Sequence, residues 1–217
     1  MDRWVIGLFF FGWAVLCEKF AVGNVCYALI GAAIPLMISG GFHVDGYMDT
    51  MDAFHSYQSR EKKLEILKDS HIGAFAAIML ALYYMIDIAA ISEIHTQKAV
   101  SAVAAVFFLA RCFSGIAVMT LQPAKKEGLL YTFASSAQKV RVKAALYFQA
   151  ALCVAIMLLV SGWYGAAAIG AALLSFFYFK KKSYKELGGI TGDTAGFFVT
   201  VCEAAAAAAV AVAGYFL

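Results

Sequence analysis

The chain has 217 residues, of which 63% are hydrophobic and 14% are charged. An ordinary soluble domain is about 45–50% apolar and about 25% charged, so this composition, with a mean hydropathy of +0.79, excludes a disordered chain and argues against a soluble protein. The net charge of +3 is too small to indicate a nucleic-acid partner. We therefore expect a membrane protein that contacts lipid and does not bind nucleic acid.

Apolar stretches recur along the chain at lengths that suit membrane helices. A bilayer core of about 30 Å requires about 20 apolar helical residues, and fewer where a helix is re-entrant. Seven stretches approach this length, at 4–17, 20–41, 72–92, 99–121, 144–160, 163–179 and 196–217. Pro35, inside the second stretch, is expected to kink its helix. The sequence thus predicts an all-α polytopic transmembrane helical bundle of about seven spans, formed by a single domain over residues 1–217.

The positions of the basic residues predict which way the spans point. All but Lys19, Lys98 and Arg111 of the 17 Lys and Arg residues lie at the N-terminus or in the segments after the second, fourth and sixth spans. Positive residues are retained on the cytoplasmic side of a membrane. We therefore expect the N-terminus inside and the C-terminus outside, in the cytoplasmic (inner) membrane.

An acidic segment follows the second span directly. On a helix, which turns about 100° per residue, Asp45, Asp49 and Asp52 share an arc of roughly 60°. Carboxylates so placed repel one another unless cations neutralise them, and such groups bind Mg²⁺ together with substrate phosphates. Gly46 would let a phosphate approach the backbone, and His43 could bind, orient or shuttle a proton. The alternative is the solvated face of an interfacial helix.

The next segment, at 60–73, has the apolar spacing of an amphipathic helix on the cytoplasmic face. Lys62 and Lys63 are expected to lie on anionic lipid headgroups. Lys68 and Asp69 stand at the start of the third span, where Lys68 could meet a phosphate and Asp69 a metal ion.

A glycine-rich segment precedes the last span. Gly189 and Gly192 free the backbone to present N–H groups to an anion, and Thr191 and Asp193 add a hydroxyl and a carboxylate at the start of a helix. The alternative is that Thr191 or Asp193 is only a helix N-cap. Because this segment and the acidic segment are both expected on the cytoplasmic side, the bundle could bring them together.

Charged residues also occur within the predicted spans, at Asp87, Arg111 and Glu203. A charge in the hydrocarbon region is costly and usually marks a functional site or an ion pair. Arg111 could pair with Asp87 or Glu203 to hold helices together. Glu203 is also suited to orienting a substrate or Arg111.

Three segments together resemble the cobalamin synthase (adenosylcobinamide-GDP ribazoletransferase) family. They are residues 43–52, 64–73 and 188–193, the last followed by Gly196 and Glu203. The resemblance implies Mg²⁺-dependent transfer of the adenosylcobinamide phosphate moiety from adenosylcobinamide-GDP to α-ribazole or its 5′-phosphate. It further implies release of GMP, formation of adenosylcobalamin or its 5′-phosphate, and an active site facing the cytoplasm.

The resemblance also implies roles for the residues singled out above. His43 is the candidate base, and Lys68 or Arg111 would offset phosphate charge. The expected contacts to the substrate are made by Gly46, Gly189, Thr191, Gly192 and Glu203. The expected Mg²⁺ ligands are Asp45, Asp49 and Asp52, with Asp69 and Asp193 as further candidates.

Two other functions stay open at this point. A CDP-alcohol phosphotransferase also uses clustered Asp residues at a membrane face, although its usual motif has a second Gly-x₃-Asp-x₃-Asp element where this chain has Asp-x₃-Asp-x₂-Asp. An ion-coupled transporter could use Asp87, Arg111 and Glu203 as a relay, but no inverted repeat is visible. Self-association and association with corrinoid-pathway enzymes also stay open.

Overall fold

The computed structural model describes residues 3–124 and 139–216. The basic residues Lys125 and Lys126, predicted to lie on the inner side, fall outside the described residues. Within the described ranges the chain forms α-helices joined by short turns, which confirms the all-α prediction. The helices are α1 (Arg3–Phe20), α2 (Asn24–Ser39), α3 (Phe42–His55), α4 (Arg60–Ile66), α5 (Ala74–Ile91), α6 (Gln97–Thr120), α7 (Lys139–Ser161), α8 (Trp163–Leu187) and α9 (Gly192–Gly214).

Among the described residues, four helices are long and apolar enough to cross a membrane, so the chain is a multi-pass membrane protein. They are α5, α6, α7 from Val140 onward, and α9. The pair α2 and α3 would make a fifth if counted as one broken span, since the two helices meet at an angle of 96°. The predicted number of seven spans is not confirmed by these lengths and hydropathies.

The sharp bend between α2 and α3 lies at Gly40 and Gly41. Their φ angles of +64° and +82° belong to the left-handed region, which glycine adopts without steric cost. Helix α2 continues through Pro35 and ends at Ser39. The bend turns α3 away from the direction of α2.

Helices α6 and α9 form the centre of the bundle and are more buried than α5 and α7. Helix α9 packs against α3, α5, α6 and α8. Its side chains include the fully buried Phe197 and Phe198. The ring of Phe198 contacts Phe176 and Phe179 of α8. The alanines at 206 and 207 are almost completely buried, as expected where small side chains allow membrane helices to approach closely.

The two ends of the bundle are held by different contacts. At one end, Tyr27 donates a hydrogen bond to the carbonyl of Ile94 (2.5 Å), and Tyr215 donates to Glu93 (2.8 Å). At the other end lie the bend, α4, the start of α5 and the start of α9. We call this second end the acidic end.

Helix α4 is shorter than the amphipathic segment predicted at 60–73, and its contact with α8 corrects the prediction for Lys63. The Lys63 ammonium is buried and donates to Glu186 at 2.5 Å, while Lys182 lies 3.1 Å from the same carboxylate. The hydrogen bond from Lys63 lowers the pKa of Glu186. The prediction that Lys63 lies on lipid headgroups is therefore wrong, because its side chain runs inward to a carboxylate on α8. Lys62 is exposed and pairs with Glu65 on its own helix.

Candidate functional site

The acidic face of α3 is the first part of the site. Asp45 is exposed, whereas Asp49 and Asp52 are partly buried. The negative charges of Asp45, Asp193 and Asp52 all act on Asp49, which places Asp49 among the other three. Such an arrangement costs free energy unless positive charge compensates it.

A close crossing of α3 and α9 brings the acidic segment beside the glycine-rich segment. A Cβ atom on Gly46 would lie 2.8 Å from the carbonyl oxygen of Asp193, and a Cβ on Gly196 would lie 3.1 Å from the carbonyl oxygen of His43. Thr200 donates a hydrogen bond to the same His43 carbonyl at 3.2 Å. The two glycines thus let the backbones touch, and the start of α9 is placed beside the carboxylates of α3.

Asp52 has a structural role that the sequence reasoning missed. Its Oδ2 accepts a hydrogen bond from the backbone N–H of Gly73 (2.7 Å), and its Oδ1 accepts from that of Ala76 (2.8 Å). These are among the N–H groups at the start of α5 that have no partner within the helix. Both oxygens of the Asp52 carboxylate are therefore engaged in fixing the start of α5 against α3.

Thr191 is the N-cap of α9, as the alternative interpretation of this segment had it. Its hydroxyl accepts a hydrogen bond from the N–H of Thr194 (3.1 Å), and the Thr194 hydroxyl accepts from the N–H of Thr191 (2.8 Å). The Thr191 hydroxyl also donates to Asp193 at 3.3 Å. Gly192 is exposed, and nothing lies within 4 Å of the position that a Cβ would take there. The backbone at Gly192 is therefore accessible from solvent.

Gly189 is buried against the segment that follows α6. A Cβ atom there would lie 2.6 Å from the carbonyl oxygen of Gln122. Its neighbour Ile190 donates to Gln122 (2.9 Å) and accepts from Ala124 (2.8 Å). The structure thus places Gly189 in a backbone-to-backbone contact.

Lys68 and Asp69 are both exposed in the turn after α4. The Asp69 carboxylate contacts the ring of His71 at 2.6 Å and accepts from its backbone N–H at 3.1 Å. These hydrogen bonds lower the pKa of Asp69. The contacts that the structure gives Asp69 therefore belong to its own turn and do not link it to the carboxylates of α3.

Arg111 and Glu203 form a buried ion pair between α6 and α9. The guanidinium donates to the Glu203 carboxylate at 2.5 Å and to the carbonyl of Phe107 at 2.7 Å. Both side chains are less than a tenth exposed, and Asp87 on α5 is close enough for the Glu203 charge to act on it. Of the two predicted partners of Arg111, the structure pairs it with Glu203.

His43 lies in the first turn of α3. The positive charge of Arg111 acts on its imidazole. In the part of the chain that the structure describes, the buried Nδ1 of His43 has no hydrogen-bond partner. The hydrogen-bonding capacity of this ring nitrogen is therefore unused among the described residues.

The donor set limits how a metal ion could bind. Within residues 3–124 and 139–216, no three His, Cys, Asp or Glu side chains are close enough to hold one ion together. Mg²⁺ commonly binds through one or two carboxylates and completes its shell with water and substrate phosphates. The carboxylates of α3 and Asp193 therefore suit an ion that a phosphate substrate also ligates, and they do not suit a site made of protein ligands alone.

A cavity of about 490 Å³ opens beside Asp45, at the bend between α2 and α3. We call it the bend cavity. Its walls include Leu36, Met48, Leu80 and Tyr84. The cavity was not predicted from the sequence, although two consecutive glycines after an apolar helix are a signal for a break at this place.

The fold and the site define a class: a multi-pass helical membrane protein with an acidic helix held against the start of another helix at one end of the bundle. The profile of the cobalamin-5-phosphate synthase family matches residues 4–211. The chain therefore belongs to the cobalamin-5-phosphate synthase family, as the resemblance predicted, and it is a transferase of cobalamin biosynthesis.

Individual relatives agree with this assignment, and each is named adenosylcobinamide-GDP ribazoletransferase. The relative from Lachnoclostridium phytofermentans is 41% identical and covers 96% of this chain and 80% of its own length. Those from Azorhizobium caulinodans and Escherichia coli K12 are 30% and 29% identical, covering 89% and 81% of this chain and 75% and 71% of their own lengths. No solved structure matches the chain.

Proposed function

We propose that this protein transfers the adenosylcobinamide phosphate moiety from adenosylcobinamide-GDP to α-ribazole or α-ribazole 5′-phosphate, in a Mg²⁺-dependent reaction that releases GMP. The observation that carries the proposal is the close crossing of α3 and α9, which gathers Asp45, Asp49 and Asp193 beside an accessible helix start. The names of the relatives supply the substrates.

In the proposed site, one or two of the carboxylates of Asp45, Asp49 and Asp193 would hold Mg²⁺ together with the pyrophosphate of adenosylcobinamide-GDP. When bound, the ion offsets negative charge on the phosphates and on the departing GMP. The exposed backbone at Gly192 opens the N-terminal end of α9, where N–H groups and the helix dipole favour an anion. Asp52 supports this arrangement by fixing the start of α5.

The proposed reaction exchanges one phosphorus–oxygen bond for another. A ribose hydroxyl oxygen of the acceptor bonds to the phosphorus that carries the cobinamide, and the bond from that phosphorus to the oxygen of GMP breaks. The hydroxyl proton must leave, and we assign its acceptance to His43, whose Nδ1 is unpartnered among the described residues. Arg111 acts through its ion pair with Glu203, which holds α6 to α9.

We further propose that the seven predicted spans are α1, α2 and α5 to α9, and that the acidic end faces the cytoplasm. The turns at 92–96 and at 162 lie at the opposite end from α4 and the start of α9. The basic residues of α4, the start of α7 and the end of α8 are therefore at the acidic end. This distribution is the one expected of a cytoplasmic face.

The proposed function is tested with purified protein in liposomes, given adenosylcobinamide-GDP and α-ribazole. We expect GMP release that requires both the acceptor and Mg²⁺ and that stops with excess chelator. Excess Mg²⁺ added back after the chelator should restore the release. Release without acceptor would indicate hydrolysis, and release that persists in chelator would contradict the metal requirement.

A further inference from the structure

We propose that the bend cavity binds the aromatic base of the acceptor nucleoside, with the ribose turned toward Asp45. This inference rests on the proposed function and adds to it the place of the acceptor. The acceptor nucleoside has an apolar, aromatic base at one end and a polar ribose at the other. The cavity must therefore offer apolar walls to the base and an opening through which the ribose reaches the phosphates.

The walls of the bend cavity match the apolar body. Leu36 comes from the end of α2, Met48 from α3, and Leu80 and Tyr84 from α5. Binding pockets for small molecules are about 300–1,000 Å³ and mostly apolar, with a few placed polar groups. At about 490 Å³, the bend cavity is large enough for a nucleoside.

The glycine pair at the bend forms the floor of the cavity. Gly40 and Gly41 both line it, and nothing lies within 4 Å of the position that a Cβ would take on Gly40. Both residues have positive φ angles, which favour glycine, and because glycine has no side chain the space beside them stays open. The bend therefore opens the cavity and also sets the direction of α3 at the acidic end.

Asp45 connects the cavity to the rest of the site. Its side chain lines the cavity, and its charge also acts on Asp49. A molecule in the cavity would thus have one end within reach of the carboxylates that we assign to the metal and phosphates. The other substrate, adenosylcobinamide-GDP, does not suit the bend cavity. Its corrinoid ring carries many amide groups, which do not match the apolar walls, and is too large for a volume of about 490 Å³.

The test fills the cavity and measures the two substrates separately. In Leu80→Trp, we expect the KM for α-ribazole to rise at least about tenfold, while the KM for adenosylcobinamide-GDP stays within about twofold. Leu82→Trp is the matched control, because Leu82 is on the same helix, is exposed and does not line the cavity. Equal KM values for α-ribazole in Leu80→Trp, Leu82→Trp and the unaltered protein would overturn the proposal. The cavity would then be a space filled by membrane lipid.

A binding measurement separates this proposal from the proposed function and needs neither turnover nor a bulky substitution. In a Cys26→Ser background, which removes an exposed thiol, we expect α-ribazole to slow maleimide labelling of Leu80→Cys at least about threefold and to leave that of Leu82→Cys unchanged. Protection without GMP release would support the cavity and reject the proposed reaction. GMP release without protection would support the reaction and reject the cavity.

Discussion

Asp45, Asp49 and Asp52 lie on one helix, yet each has a different environment. Asp45 is exposed beside the bend cavity, and Asp49 lies among the other carboxylates and Asp193. Asp52 places both oxygens on the backbone of α5. A common spacing on a helix therefore does not imply a common role, and substitutions at the three positions are expected to have different effects.

Substituting Asp45 or Asp49, whose carboxylates do not cap α5 as that of Asp52 does, should affect activity. Asn has nearly the shape of Asp but lacks its charge, so in Asp45→Asn and Asp49→Asn the attraction for Mg²⁺ and its phosphates is reduced. We expect GMP release to fall by more than about 100-fold with little change in the midpoint of thermal unfolding in detergent. Retained activity in both variants would contradict the assignment of these carboxylates to the metal.

Substituting Asp52 should instead affect stability. Asp52→Ala leaves the N–H groups of Gly73 and Ala76 without their partner, and loss of a helix cap costs about 0.5–2 kcal/mol. We expect a lower midpoint of thermal unfolding, measured in detergent without substrates. Asp69→Ala is the control, since Asp69 is exposed and the hydrogen bonds of its carboxylate, among the described residues, go to His71 in the same turn. The unfolding midpoint of this variant should stay unchanged.

At the scale of helices, the site depends on contacts between elements that are far apart in sequence. Helix α3 touches α9 through glycines, and α4 is joined to α8 by the buried pair of Lys63 and Glu186. The first contact positions the carboxylates, and the second holds the helix that precedes α5. Each can be tested with a neighbouring or equivalent residue as the control.

The crossing of α3 and α9 should not tolerate a methyl group at Gly46. In Gly46→Ala, the new Cβ would lie 2.8 Å from the Asp193 carbonyl oxygen, so the helices must move apart at a cost of about 1–3 kcal/mol. We expect a lower midpoint of thermal unfolding and a loss of GMP release of at least about tenfold. Gly170→Ala, in α8, has nothing within 4 Å of its Cβ and should keep both properties.

The adjacent lysines of α4 should differ in their effect on stability. Lys63→Ala removes a buried partner of Glu186. Breaking a buried ion pair costs about 3–5 kcal/mol of stability, and the loss is smaller here because Lys182 also contacts the Glu186 carboxylate. Lys62→Ala removes an exposed pair with Glu65, and water screens such a pair so that it adds little to stability. Thermal unfolding in detergent should show a clear drop in the midpoint for Lys63→Ala only. Equal midpoints for the two variants would contradict the structural role of Lys63.

At the scale of the whole molecule, the bundle has one end that carries the carboxylates, the glycine-rich segment and most basic residues. The opposite end is closed by hydrogen bonds such as those of Tyr27 and Tyr215. This separation of charge along the bundle is what a fixed orientation in the membrane requires.

Reporter fusions test this orientation. We expect a green fluorescent protein joined after Asp69 to fluoresce, because it would lie in the cytoplasm. We expect alkaline phosphatase joined at the C-terminus to be active, because it would lie outside. The reverse pair of results would contradict the proposed orientation, and a C-terminus on the same side as Asp69 would contradict an odd number of spans.

Much of the fold and of the candidate site could be predicted from the sequence. The apolar stretches predict the helices, because the length of a stretch and the spacing of its apolar residues can be read locally along the chain. The acidic and glycine-rich segments are identified by their residue types. The burial of Lys63, the capping by Asp52 and the bend cavity could not be predicted in this way. Each depends on a partner more than 20 residues away in the chain, at Glu186, Gly73 and Leu80.

By itself, the sequence determined that this is an all-α membrane protein, because composition and hydropathy can be evaluated without knowing how the helices pack. It also determined the resemblance to the cobalamin synthase family, because the motifs that carry it are short stretches of sequence. Only the tertiary structure decided which charged residues face one another. It paired Arg111 with Glu203 and set Gly46 against Asp193. The physical reason is that ion pairs and close backbone contacts act over a few ångströms, and distances of that size between separate helices are set by the fold of the whole bundle.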